Sequence, residues 1–213
     1  EPSQRRREDS KTIDFMKVRD PRDWSLPIAF GLRTARGETP MISRRMLDYT
    51  DNAVVGRGRF DIESVSHILP GRRSSAASSF PGEVVGTAII HKNRGALPRI
   101  RLAGKPIYVK DQAAAGQSLA DPSIDPRTHL IVEDPDHPLP TDTEIDPNGF
   151  ARIVQEIPER LIVETNSATP SYLVVSDTFD PGWSALLDGS PVAIRPAYSA
   201  FRAVYVPAGK HSV

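Results

Sequence analysis

A chain of 213 residues without a single cysteine can hold one large or two small domains, and it excludes disulfides, thiolate catalysis and cysteine–zinc sites. Hydrophobic residues make up 38% of it and prolines number 20, which leaves enough apolar material for a core threaded by many turns and loops. Net charge is zero but uneven: residues 1–110 carry 21 Lys/Arg against 12 Asp/Glu, and residues 111–213 carry 6 against 15.

A basic half suits nucleic acid or anionic lipid headgroups. The cations are scattered, however, with no aromatic interleaving beyond Phe60, so no nucleic-acid partner is expected. Mutual attraction of the two halves, or plain solvation, accounts for the asymmetry. No apolar run approaches the roughly 20 residues that cross a bilayer. The chain opens at Glu1 in an Arg-rich polar stretch, with neither signal peptide nor initiator Met, and reads as a piece of a longer protein.

Residues 1–12 form a polar tail. A strand is expected at 14–21 around Phe15 and Val18, then a loop at Asp20–Trp24 and a short apolar segment after Leu26. Thr39 as N-cap and Pro40 at the first helical position open a helix through about Tyr49. Residues 60–69 give a half-turn of helix followed by a strand from Val65, and the small-residue stretch 70–82 is a linker or loop. One strand is expected over 84–92 and two short ones around Gly104–Lys105. Asp111 caps an Ala-rich helix over 112–120 that stops before Asp121–Pro122, and 129–134 is a further strand. The Pro/Asp-rich connection 135–149 is the expected boundary between subdomains. Two alternating strands joined at Pro158–Glu159 follow it.

The last stretch, 172–213, is a run of short apolar strands between strong turn signals. Asp180-Pro181-Gly182-Trp183 fits a type II turn, with Gly182 at the position of positive φ. Asp188–Gly189 supplies a two-residue turn of the I′ kind between the arms of a hairpin. Residues 202–206 form another strand, and a last one begins near Ser212. These strands should pair around Trp183, Val174, Leu187, Val204 and Val206. The expected fold class is α+β: an N-terminal mixed α/β subdomain (13–135) followed by a C-terminal antiparallel β-sandwich (148–213).

Three segments in order carry a likeness: ALPR (96–99) followed by Asp121-Pro122 and Ile124-Asp125-Pro126; YLVVSDTFDPGWSALLDG (172–189); and AFRAVYVPAGKHSV (200–213). Together they resemble the extracytoplasmic portion of the YfhO-type bacterial membrane proteins, and FGLRTARGETPMISRRMLDY (30–49) is similar to an earlier block of that family. The resemblance spans about residues 13–213. It implies a polytopic inner-membrane protein similar to glycosyltransferases that use a lipid-linked sugar donor. The acidic loop expected to serve such enzymes as base or metal ligand lies outside this chain. The resemblance therefore implies a non-catalytic domain on the extracytoplasmic, periplasmic face, partnered by the membrane part of the same protein and by a glycan acceptor. No cofactor is implied. The family's final strand continues past the point where this chain stops, so the last strand is expected to be truncated.

Among side chains, Asp177, Asp180 and Asp188 surround Trp183 in sequence. A glycosidase needs two carboxylates roughly 5–10 Å apart beside a sugar-stacking aromatic. Asp180 before Pro-Gly and Asp188 before Gly are, on the other hand, ordinary turn positions where Asp bonds its own backbone. Trp183, Asp177, Asp188 and Arg202 are thus binding candidates, with no catalytic or metal residue expected. Trp183 reads as core or as an exposed sugar platform, and Arg202 as an ion-pair partner of Asp177 or Asp188. His129 and His137 frame Glu133, Asp134 and Asp136, where either a hard cation such as Ca²⁺ or a solvated acidic loop fits. Gly56–Phe60 lacks the ending and spacing of a phosphate loop. Ser74, Ser75, Ser78 and Ser79 lack the strained elbow of a hydrolase nucleophile. Arg44, Arg45 and Arg5–Arg7 could touch headgroups or stay solvated. An alternative to the membrane-protein domain is a free-standing carbohydrate-binding or adhesive module.

Overall fold

The structure, a computed structural model, describes residues 43–52, 57–68, 80–85, 88–136 and 138–213. The tail, the strand at 14–21, the segment after Leu26 and the Thr39–Pro40 helix start lie outside the described residues, as does most of the 70–82 stretch. The described residues fall into two compact units, one made of residues 57–96 and the other of residues 43–52 and 97–213.

In the first unit a short helix α2 (Arg57–Ile62) precedes a three-stranded antiparallel sheet of β1 (His67–Ile68), β2 (Gly82–Val85) and β3 (Ala88–Lys92), in the order β1-β3-β2. The single strand expected over 84–92 is therefore two, with Val84 opposite Ile89 and Val85 opposite Ala88. A Gly-X pair between β-branched runs is itself a hairpin signal, and it outweighs the apolar continuity of VVGTAII. Phe60 and Phe80 meet edge-on at 5.9 Å. Buried Asp61 accepts a hydrogen bond of 2.8 Å from the Asn93 amide.

The second unit opens with helix α1 (Arg44–Asn52). Ser43 is its cap: the Oγ accepts from the Met46 N–H at 3.2 Å and the carbonyl from Leu47 N–H at 3.1 Å. A serine here satisfies N–H groups that the helix itself leaves free. Helix α3 (Gln112–Ala120) starts at Asp111, whose carboxylate accepts from Ala114 N–H at 2.9 Å, and ends at Asp121 ahead of Pro122, as expected. The Gln112 amide donates to Asp48 on α1.

Six strands, β4 (Ile100–Ala103), β5 (Pro106–Tyr108), β6 (Leu130–Val132), β9 (Ser171–Thr178), β12 (Arg195–Ala197) and β13 (Phe201–Val206), form one sheet in the order β4-β9-β13-β12-β6-β5. Only β5 and β6 run parallel. Strands β4 and β5 sit at opposite edges, yet Gly104 and Lys105 alone join them. Six flat strands would separate those edges by about 24 Å, and so short a link spans only about 10 Å. The sheet must therefore curl until its edges approach. Lys105 takes a φ of 44° at the corner. A Cβ on Gly104 would lie 2.5 Å from the Thr143 carbonyl oxygen, so only glycine allows that approach.

A separate three-stranded antiparallel sheet has the order β14-β8-β7, from β7 (Phe150–Ile157), β8 (Arg160–Ser167) and β14 (Gly209–Ser212). The last strand thus begins at Gly209, earlier than Ser212. One core joins the two sheets: Ile100 on β4, Leu173 and Val175 on β9 and Val206 on β13 meet Val163 on β8, with Ala151, Leu161, Leu187 and Val213 packed around them. On the other face of the curled sheet, Tyr49 of α1 meets Phe201 edge-on at 5.1 Å. The hairpin β10 (Ala185–Leu187) and β11 (Ser190–Val192) is a two-stranded sheet of its own. Its turn has the positive φ values of type I′ at Asp188 (50°) and Gly189 (85°).

The connection 135–149 runs within this second unit and is pinned to it. Leu139 is buried, and its backbone both donates to and accepts from the Tyr108 hydroxyl. Asp146 accepts from the N–H groups of Asn148 and Ala168, which holds its carboxyl below the usual range.

Candidate functional site

The polar cluster that gathers three of the four binding candidates stands where β4, β9 and β13 reach one end of the inter-sheet core. Along β9, side chains alternate, so Asp177 shares a face with Leu173 and Val175 and points toward the β7–β8 layer. Arg99, just before β4, and Arg202, at the start of β13, flank it. A register shift falls here: Arg202 stands opposite Val175 and Phe201 opposite Thr178, so Ser176 and Asp177 are the extra residues on the β9 side.

Asp177 is clamped from both sides. Its Oδ1 accepts from Arg99 Nε at 2.7 Å, and its Oδ2 accepts from Arg99 Nη2 at 2.6 Å and Arg202 Nη2 at 2.9 Å. Arg99 Nη1 also donates to Glu156 on β7 at 3.0 Å, which ties the two sheets together. Two cations and two carboxylates leave the cluster neutral. Side-chain exposure falls from 25% at Asp177 and 23% at Arg99 to 11% at Arg202. Bonding to Asp177 holds the Arg99 pKa above its ordinary value. Burial, partly offset by Asp177, pushes that of Arg202 down. Arg202 Nε is buried without a partner.

Trp183 is half-buried, not a core residue. The Arg202 guanidinium lies 4.6 Å from its ring centroid, a cation–π contact that occupies one face of the indole. The turn before it differs in type from expectation. Trp183 N–H bonds the Asp180 carbonyl at 3.2 Å and Gly182 N–H bonds Asp180 Oδ1 at 2.7 Å, but Gly182 does not adopt positive φ. Asp180's own side chain stabilises the turn, so the αL position that type II needs is unused.

Asp188 belongs to a different fastening. Its Oδ2 meets His211 Nδ1 at 2.6 Å, its Oδ1 accepts from Ser212 N–H at 2.8 Å, and its own N–H donates to the Ser212 carbonyl at 2.8 Å. The His211 bond holds the Asp188 carboxyl below its usual range, and the same bond raises His211. Asp177, Arg202 and Trp183 therefore converge, while Asp180 and Asp188 each have their own partners.

Chemically, both oxygens of the Asp177 carboxylate are taken up as acceptors by the two arginines. A glycosidic general acid needs a raised pKa, whereas Asp121, Asp146, Glu164 and Asp188 all shift downward under hydrogen bonds. The acidic stretch framed by His129 is likewise occupied. Glu133 forms a two-pronged pair with Arg45 at 2.6 and 2.9 Å; Asp134 accepts from the Tyr172 hydroxyl at 2.7 Å and lies 3.2 Å from Arg195 Nε; Asp136 also meets Arg195. Arg45 and Arg195 thus engage all three carboxylates. His137 lies outside the described residues, and no group of three or more potential metal ligands occurs among the described ones. Arg45, weighed as a headgroup contact, is engaged by Glu133, the Ser199 carbonyl and the face of Phe179.

Arg99, Glu156 and His211 are the members that sequence reasoning missed. Arg99 closes the ALPR segment, but its partner is 78 residues away, and no spacing rule reaches that far. No family model, curated protein or solved structure matches the chain.

Proposed function

We propose that this chain is the non-catalytic extracytoplasmic domain of a polytopic membrane protein of the YfhO type. In that reading it shapes or positions the acceptor for a sugar-transferring membrane part, which supplies the chemistry. One observation carries the proposal: the residues of the resembling segments bond to one another. Arg99 of ALPR and Arg202 of AFRAV grip Asp177 of SDT, Arg202 covers Trp183 of PGW, and Asp188 of LLDG bonds His211 of GKHSV. A signature consumed in holding strands together is what a structural domain requires, and it leaves its acids without a free role. The packing of the β14-β8-β7 sheet on β4, β9 and β13 supports a β-sandwich as the frame of this domain.

The test is the parent reading frame together with a glycan-binding screen. Long apolar helices encoded beside this segment support the proposal. A parent frame without them, combined with tight binding of a glycan by the isolated chain, favours a free-standing carbohydrate-binding module.

A further inference from the structure

The β10–β11 hairpin belongs to neither large sheet, and a small number of contacts hold it down. At its base Trp183 lies under Arg202, and along its length Leu187 packs on the inter-sheet core. At its tip Asp188 is fastened to β14 by the His211 contact and two bonds with the Ser212 backbone. Leu186, between these anchors, is 52% exposed. From this arrangement we infer that the hairpin is a pH-sensitive strap, latched over the end of the core by the His211–Asp188 pair.

The charge environment favours a latch governed by one titration. His211 alternates along β14 with Lys210 and Ser212, so Lys210 lies on the opposite face, where it pairs with Glu164 at 2.9 Å. Across β8, His211 stands opposite uncharged Thr165. Its other ring nitrogen meets the Ala208 carbonyl at 3.3 Å. Among the described residues, Asp188 is the one carboxylate bonded to it. A protonated His211 donates to an ionised Asp188, and its raised pKa means the contribution is complete below about pH 6.5. It fades as pH rises through the folded-state value, which lies above 6.5. At the acid end it fades again as Asp188, whose pKa is depressed, gains a proton below its usual 3.8. Opening would bare Leu187 without unfolding the sheets beneath.

Amide hydrogen exchange on the intact chain at pH 5.5 and 8.5, corrected for intrinsic exchange, reads the opening directly. The opening constant at the Asp188 and Ser212 amides should rise about two- to fivefold at the higher pH, the range expected of a solvent-accessible ion pair. The amides of β9 and β13 should not change. His211→Gln should keep strap protection constant between the two pH values, and Asp188→Asn should return the His211 NMR midpoint toward 6.5. Strap protection independent of pH in the unaltered chain would overturn the latch. So would a pH dependence that survives His211→Gln.

Discussion

Replacing Asp177 with Asn should destabilise the chain. The amide keeps the shape and one acceptor oxygen but leaves Arg99 and Arg202 facing a neutral group, with Arg202 only 11% exposed. Removing one partner of a fully buried pair costs about 3–5 kcal/mol. Here solvent reaches a quarter of Asp177 and Arg99, and Glu156 still compensates Arg99. That lowers the expected cost to about 2 kcal/mol. Of the two tryptophans, Trp183 touches the cluster, so a Trp24→Phe background makes its fluorescence the reporter. Urea unfolding should show a lower midpoint at an unchanged m-value. Adding Arg202→Met to Asp177→Asn should recover part of the loss, because the stranded cation is gone. A cost below about 0.5 kcal/mol, the level of an ordinary surface change, would refute the clamp.

Asp111→Ala removes the cap of α3 and should cost about 1 kcal/mol in the same unfolding assay. Gly189→Ala meets no neighbour within 4 Å yet must hold a φ of +85°, so it should destabilise by about 1 kcal/mol through backbone strain alone. Gly104→Ala drives a Cβ into the Thr143 carbonyl and should cost about 1–3 kcal/mol, with chemical-shift changes centred on 104 and 143. An NMR titration should place the His211 midpoint above 6.5, because Asp188 favours the imidazolium.

Local features were legible in the sequence. Asp111 capping a helix that ends before Pro122, the strand pair broken at Pro158–Glu159, and the I′ turn at Asp188–Gly189 all depend on neighbours a few residues apart. What depends on distant partners was not. The apolar run 84–92 folds back on itself, and the adjacent strands β4 and β5 end at opposite edges of a curled sheet. Trp183 lies under Arg202, a residue of a strand beyond its own hairpin. In the site, Arg202 and Asp177 were readable as a pair of opposite charges, but the second arginine and the link to β7 arise only when two sheets meet.

The proposed extracytoplasmic placement is open to a direct check. Because the chain has no cysteine, Leu186→Cys places a single exposed thiol on it, at a side chain already 52% accessible. If the proposed function holds, a membrane-impermeant maleimide applied to intact spheroplasts that carry the full-length protein should label that thiol as fully as it does after lysis. Labelling only after lysis would contradict an extracytoplasmic domain.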